Sequence, residues 1–198
     1  MDIKIKKMTP ELVEDYACFF DTIPHNDTNH GDKCYCITFC NDSVYHNGGS
    51  HWYQTAEERR QHGIKRVMEG SIQGYLAYLD GEAVGWCNAN AKDNCQECMN
   101  HMRTYNGVPV DECHAGEKIK FVFCFAIAPK VQKMGIATQL LEYICQDAAA
   151  DGYDYIEART ETNLTDDGFR GPLALYEKCG FSRYAEQGNN IVLRKALK

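Results

Sequence analysis

Proline is scarce, five in 198 residues, and no Pro- or Gly/Ser-rich stretch, internal repeat or low-complexity tract divides the chain. With 44% hydrophobic residues it has material for one full core, so residues 1–198 read as a single domain. Long apolar runs are missing too. The longest, Phe121 to Ala128, is far too short to cross a bilayer, and the opening Met1-Asp-Ile-Lys-Ile-Lys-Lys lacks the apolar centre of a secretion signal. The expectation is a cytoplasmic protein without a membrane partner. An excess of positive charge is also absent: 21 Lys and Arg against 28 Asp and Glu leave −7. That balance argues against nucleic acid, whose binding needs a basic surface to displace counterions, and suits a cationic small-molecule or peptide partner.

Cysteine is the residue in surplus, eleven in all. An odd count with no secretion signal speaks against a disulfide framework. Several stand in apolar settings such as Phe123-Cys-Phe125 and Tyr143-Ile-Cys145, where a thiol acts as a small hydrophobe. Cys95-x2-Cys98-x2-His101 with Cys113-His114, and Cys34-x-Cys36-x3-Cys40, offer soft ligands. Only one well-formed CxxC knuckle is present, however, so the expectation is loop thiols without a structural metal.

The most informative segment is Ile127-Ala-Pro-Lys-Val-Gln-Lys-Met-Gly-Ile-Ala137, which follows a strand-like run and opens a helix. A Gln-x-x-Gly-x-Ala turn at a helix start leaves backbone N–H groups without intrahelical partners at the positive end of the helix dipole. Such an end binds phosphate. Further on, Pro172 and Gly180 bracket a short helix that ends in Tyr176-Glu-Lys-Cys-Gly-Phe181. The two motifs together resemble the acyl-CoA pyrophosphate loop and the Tyr-x-x-x-Gly-Phe segment of the GNAT superfamily of N-acetyltransferases. The resemblance covers the C-terminal eighty residues well and the rest in outline.

The remaining pattern fits that layout. Ile3 and Ile5 mark a first strand, and Thr9-Pro10 starts a helix carrying Leu12, Tyr16 and Phe19. Thr55-Ala-Glu-Glu58 is a capping box for a helix whose apolar side holds Ile64, Val67 and Met68. Gly74 to Leu79 and Ala83 to Asn88 flank Asp80-Gly81 as a hairpin. Ile119 to Ala128 reads as a strand buried on both faces. The helix from Gly135 presents Ile136, Leu140, Ile144 and Ala148 on one side and stops at Asp151-Gly152. Tyr153 to Ala158, Phe181 to Tyr184 and Asn190 to Leu193 supply three more strands. Segments 21–54 and 90–117, rich in His, Cys, Asn and Gly, read as irregular and acceptor-side. The fold implied is α/β: a mixed, mainly antiparallel sheet splayed after its central strand, with helices on both faces.

The resemblance implies acetyl-CoA as cosubstrate and direct transfer of its acetyl group to a primary amine. It places the pyrophosphate on Gln132, Lys133, Met134, Gly135, Ile136, Ala137 and Thr138, and the pantetheine arm along the backbone of Phe125, Ala126 and Ile127. A backbone N–H near Phe125 or Ala126 would stabilise the oxyanion. Tyr176 would protonate the leaving thiolate. Many members carry Asn seven residues before that Tyr, where this chain has Phe169, and Asn163 is the candidate replacement toward the pantetheine. For the general base the sequence leaves Glu117, Glu157 and the histidines His25, His30, His46 and His51 open. A non-catalytic CoA-binding or a thiol- or metal-responsive regulator on the same fold is the other reading.

Overall fold

The computed structural model describes residues 2–22, 33–37, 55–95, 116–162 and 169–198. Seven strands form one sheet in the order β1-β2-β3-β4-β5-β7-β6: β1 Ile3–Lys7, β2 Gly74–Leu79, β3 Glu82–Ala91, β4 Ile119–Ile127, β5 Tyr155–Glu161, β6 Ser182–Gln187 and β7 Asn190–Ala196. Every neighbouring pair is antiparallel except β4 with β5. Among the described residues four α-helices accompany it: α1 Val13–Thr22, entered through a 3-10 turn at Pro10–Leu12, α2 Ala56–Met68, α3 Ile136–Ala150 and α4 Leu173–Lys178. Among the described residues no helix is long and apolar enough to cross a membrane.

The sheet separates two cores. On one face α3 packs Ile136, Leu140, Leu141, Ile144 and Ala148 against Val84, Val122 and Ile156. On the other, Tyr16, Phe19 and Phe20 of α1 and Val67 of α2 meet Leu76, Trp86, Phe121 and Phe123. The expected capping box forms at Thr55 and Glu58. Met68, however, is 54% exposed. The buried side of α2 is instead Arg59, Gly63 and Val67, because the Arg59 guanidinium turns inward and its Nε donates to Lys33 O at 2.7 Å. The hairpin's second strand runs further than its apolar alternation indicated, to Ala91. β5 begins at Tyr155 rather than Tyr153 and continues to Glu161.

The other core is not wholly apolar. Lys120, set in the apolar β4 run, is 1% exposed; its Nζ donates to Gln73 Oε1 at 3.2 Å and lies 5.0 Å from the Tyr153 ring centroid. It borders a cleft of about 260 Å³ with Lys7, Gln73 and Tyr153. Burial, and then the neighbouring Lys7 charge, pull its pKa down to about 8.

Candidate active site at the splayed strands

β4 and β5 pair in parallel only as far as Val122 with Ala158, although both strands continue. The cause lies one strand away. Opposite β3, Val122 pairs with Ala89 and Cys124 with Asn88, so Phe123 is an extra residue without a partner. A bulge of this kind bends a strand and increases its twist, which carries the end of β4 away from β5. Beyond the bulge, Ala128 N–H donates to Val84 O at 2.9 Å. The two-residue alternation of an antiparallel ladder then turns Ala126 N–H toward β3 and aims the N–H groups of Phe125 and Ile127 into the splay. The expectation of an oxyanion donor near Phe125 or Ala126 thus narrows to the splay-facing positions, because Ala126 serves the ladder.

The loop after β4 ends in the start of α3. Gly135 caps α3 in the left-handed region at φ 83°, and a Cβ placed there would meet nothing within 4 Å. Lys133 also has a positive φ of 63°. The first helical bond runs from Gln139 N–H to Gly135 O, so the N–H groups of Gly135, Ile136, Ala137 and Thr138 have no partner within the helix. The Gln132 side-chain amide donates to Ile127 O at 3.2 Å and ties the loop to the end of β4.

Tyr176 arrives at the splay from α4. It is fully buried, its ring lies 6.4 Å from Phe125 and 5.3 Å from Phe181 by centroids, and burial pushes its hydroxyl well above the usual phenol range. A phenol in that state stays protonated. Its O–H donates to Arg170 O, while Phe125 N–H donates to the preceding carbonyl, Phe169 O, at 2.6 Å. Thr160 Oγ1 on β5 holds the next one, Gly171 O, at 2.7 Å. Residues 169–171 therefore form a strap across the splay, bridging β4, β5 and α4. Gly171 takes φ 77°, and a Cβ on it would press Leu175 at 3.2 Å and Phe125 at 3.4 Å.

The profile of the Acetyltransferase (GNAT) family matches residues 34–181. The chain belongs to the GNAT family. Solved GNAT structures share its fold at low identity. The GNAT-family acetyltransferase from Streptococcus pneumoniae is 17% identical over 100% of both chains, with a TM-score of 0.54. The PaiA N-acetyltransferase from Thermoplasma acidophilum, determined in complex with coenzyme A, is 12% identical over 99% of both, with a TM-score of 0.52. The GNAT domain of S. lividans PAT is 12% identical, covering 98% of this chain and 90% of its own, with a TM-score of 0.55. No curated protein matches the sequence.

Within this GNAT fold the sequence-expected residues do not all converge. Phe125, Ile127, Tyr176 and the loop from Gln132 to Thr138 gather around the splayed end of β4. Glu117 does not. It lies beyond the opposite end of β4, about 25 Å from Phe125 at the usual strand rise, and it acts on Arg194 instead. That separation removes it as a direct base. Glu157 is nearer but fully buried and held by Lys92 Nζ at 3.0 Å and Arg194 Nη2 at 2.6 Å, a carboxylate already balanced by two cations. Asn163, the four candidate histidines, Cys40, Cys98, His101 and the Cys113-His114 pair lie outside the described residues. Among the described residues no group of three or more His, Cys, Asp and Glu is placed to hold a metal ion. The sequence reading did not foresee the bulge at Phe123 or the strap at 169–171. The departure from Asn at position 169 was the available signal, since a backbone carbonyl stands there in contact with the central strand.

Proposed function

We propose that this GNAT chain transfers an acetyl group from acetyl-CoA directly to a primary amine. The observation that carries the reading is the meeting of Phe125 N–H and the Tyr176 hydroxyl at the splay, below a helix start left open at Gly135. The residues fit the cosubstrate. Backbone donors from Gly135 to Thr138 suit a pyrophosphate, and the splayed backbone at Phe125 and Ile127 suits an amide-bearing arm. Acetyl-CoA supplies an activated acyl thioester.

The protein's own groups do the rest. Phe125 N–H is fixed by its strand and donates to the oxygen on which negative charge gathers, a stabilisation worth about 3–4 kcal/mol for a comparable donor. Tyr176 keeps its proton through the working pH range and delivers it to the departing sulfur. Both donors now end on carbonyls of the strap, so productive binding exchanges Phe169 O and Arg170 O for ligand atoms. Tyr176 packs on the α3 side of the sheet, so in this reading the amine comes to the splay from the opposite face. The test is product analysis: purified protein, acetyl-CoA and a panel of primary amines, with acetylated amine and free CoA quantified by mass spectrometry. Equal amounts of the two, with no acetylated protein in the intact mass, support direct transfer. CoA release without acetylated amine would refute it.

A further inference from the structure

Asn88 pairs across β3 with Cys124 and Trp86 pairs with Ala126, so the two bracket the register position of Phe125. Residues two apart on a strand share a face. Trp86 belongs to the core under α1, with ring centroids 5.3 Å from Tyr16 and 5.8 Å from Phe20. Asn88 therefore stands on the face opposite α3, one strand spacing (about 4.8 Å) from the central strand.

Asn88 is fully buried, and neither its Oδ1 nor its Nδ2 has a hydrogen-bond partner. A group left so is destabilising, and native interiors rarely keep one without a reason. The next asparagine on the same face makes the contrast. Asn90 is equally buried, yet its Nδ2 donates to Ser71 O at 3.4 Å and its Oδ1 accepts from Asn94 at 3.5 Å. The indole N–H of Trp86 likewise has no nitrogen or oxygen partner and acts on the Cys36 sulfur.

Charge narrows the partner further. Glu157 shares this face, in register with Phe121, and is already balanced by Lys92 and Arg194. A second ammonium finds its carboxylate spoken for, whereas a neutral amide is matched by Asn88. A carboxamide is the complement of a carboxamide, each donating an N–H to the other's oxygen. We propose that Asn88 is the specificity-determining residue for the acceptor, which is a small primary amine that also carries a primary carboxamide. The inference rests on the acetyl-transfer reading above.

The experiment compares glycinamide and β-alaninamide with n-propylamine and putrescine as acceptors, in wild type and in Asn88→Leu, with melting temperature and acetyl-CoA affinity measured on the same samples. Wild type should favour an amide over propylamine and putrescine by roughly 10- to 100-fold in kcat/KM, the range expected when a buried polar group gains or lacks its partner. Asn88→Leu should erase that preference, chiefly through the acceptor KM. Acetyl-CoA affinity should hold, and the Tm should stay level or rise because an unpaired buried amide has gone. Asn88→Ala repeats the acceptor comparison with a smaller side chain, and a leucine variant that does not fold overturns the proposal. Equal kcat/KM across the four amines, a preference for putrescine, or a preference that survives in the variant overturns the proposal. So does a fall of several degrees in Tm, the signature of a structural asparagine. If neither amide is acetylated the proposal also fails, and calorimetric titration with acetyl-CoA then tells whether cosubstrate binding fails with it.

Discussion

Replacing Gly135 separates backbone strain from ligand repulsion at a single position. The residue sits at φ 83° with open space where a Cβ would go, so any L side chain incurs the left-handed penalty and no clash. That penalty is about 1–2 kcal/mol. For a chain of this size each kcal/mol moves Tm by about 2–4 °C. Gly135→Ala and Gly135→Glu should therefore melt alike, a few degrees below wild type. They should part when acetyl-CoA is added. At a hundred times its Kd the ligand stabilises wild type by about 2.7 kcal/mol. The alanine variant, with only a methyl group pointing into open space, should retain most of that shift once strain is subtracted. The glutamate variant sets a carboxylate where the pyrophosphate would lie and should lose it. Thermal-shift titrations of the three proteins, run in parallel, decide the matter. If the glutamate variant responds to acetyl-CoA as the alanine variant does, the phosphates do not lie at this helix start, and the loop drops out of the argument.

Tyr176→Phe should lower kcat by roughly 10²- to 10⁴-fold with acetyl-CoA affinity nearly intact; near-normal turnover with an active acceptor would make the tyrosine structural. It should also lose about 1 kcal/mol of stability in urea melts, since Arg170 O loses its partner. Lys120→Met should be the more stable protein at pH 7 by about 3 kcal/mol, because a lysine held at about 8 against its ordinary 10.5 is a base whose charged form the fold disfavours. The penalty is complete below the folded value and fades as pH rises toward the unfolded one, so the gap should shrink to less than half by about pH 9.5; a gap independent of pH would refute the assignment. Iodoacetamide at pH 8 should modify exposed Cys18 in the native protein but reach Cys36, Cys87 and Cys124 only after unfolding, since burial pushes those three thiols up. Peptide mapping checks it.

What the sequence revealed divides along the range of the forces involved. The capping box at Thr55, the hairpin at Asp80-Gly81, the Gly135 turn and the bracketing of α4 by Pro172 and Gly180 are set by residues a few positions apart, and each is found where local chemistry put it. Features fixed by distant partners were not legible. Met68 was expected inward but stands exposed, while Arg59 is buried with its guanidinium on the Lys33 carbonyl, far off in sequence. Glu117 looked usable because it precedes the central strand, but a strand's length separates its two ends, and only the far end opens. The bulge at Phe123 has no composition of its own; it exists because β3 and β4 differ by one residue over the same span.

The strap at 169–171 has a kinetic consequence. Its carbonyls occupy the Phe125 N–H and the Tyr176 hydroxyl, so on the proposed reading the acyl arm enters only once the strap has moved aside. Only the fraction of molecules with the strap withdrawn binds, and the apparent Kd exceeds the intrinsic one by the inverse of that fraction. Association should then saturate as acetyl-CoA is raised, with a plateau set by the rate at which residues 169–171 let go. Changes that weaken the strap without touching the ligand, such as Thr160→Val, which removes the hold on Gly171 O, should tighten binding from a distance. The same closure keeps water from the Phe125 N–H.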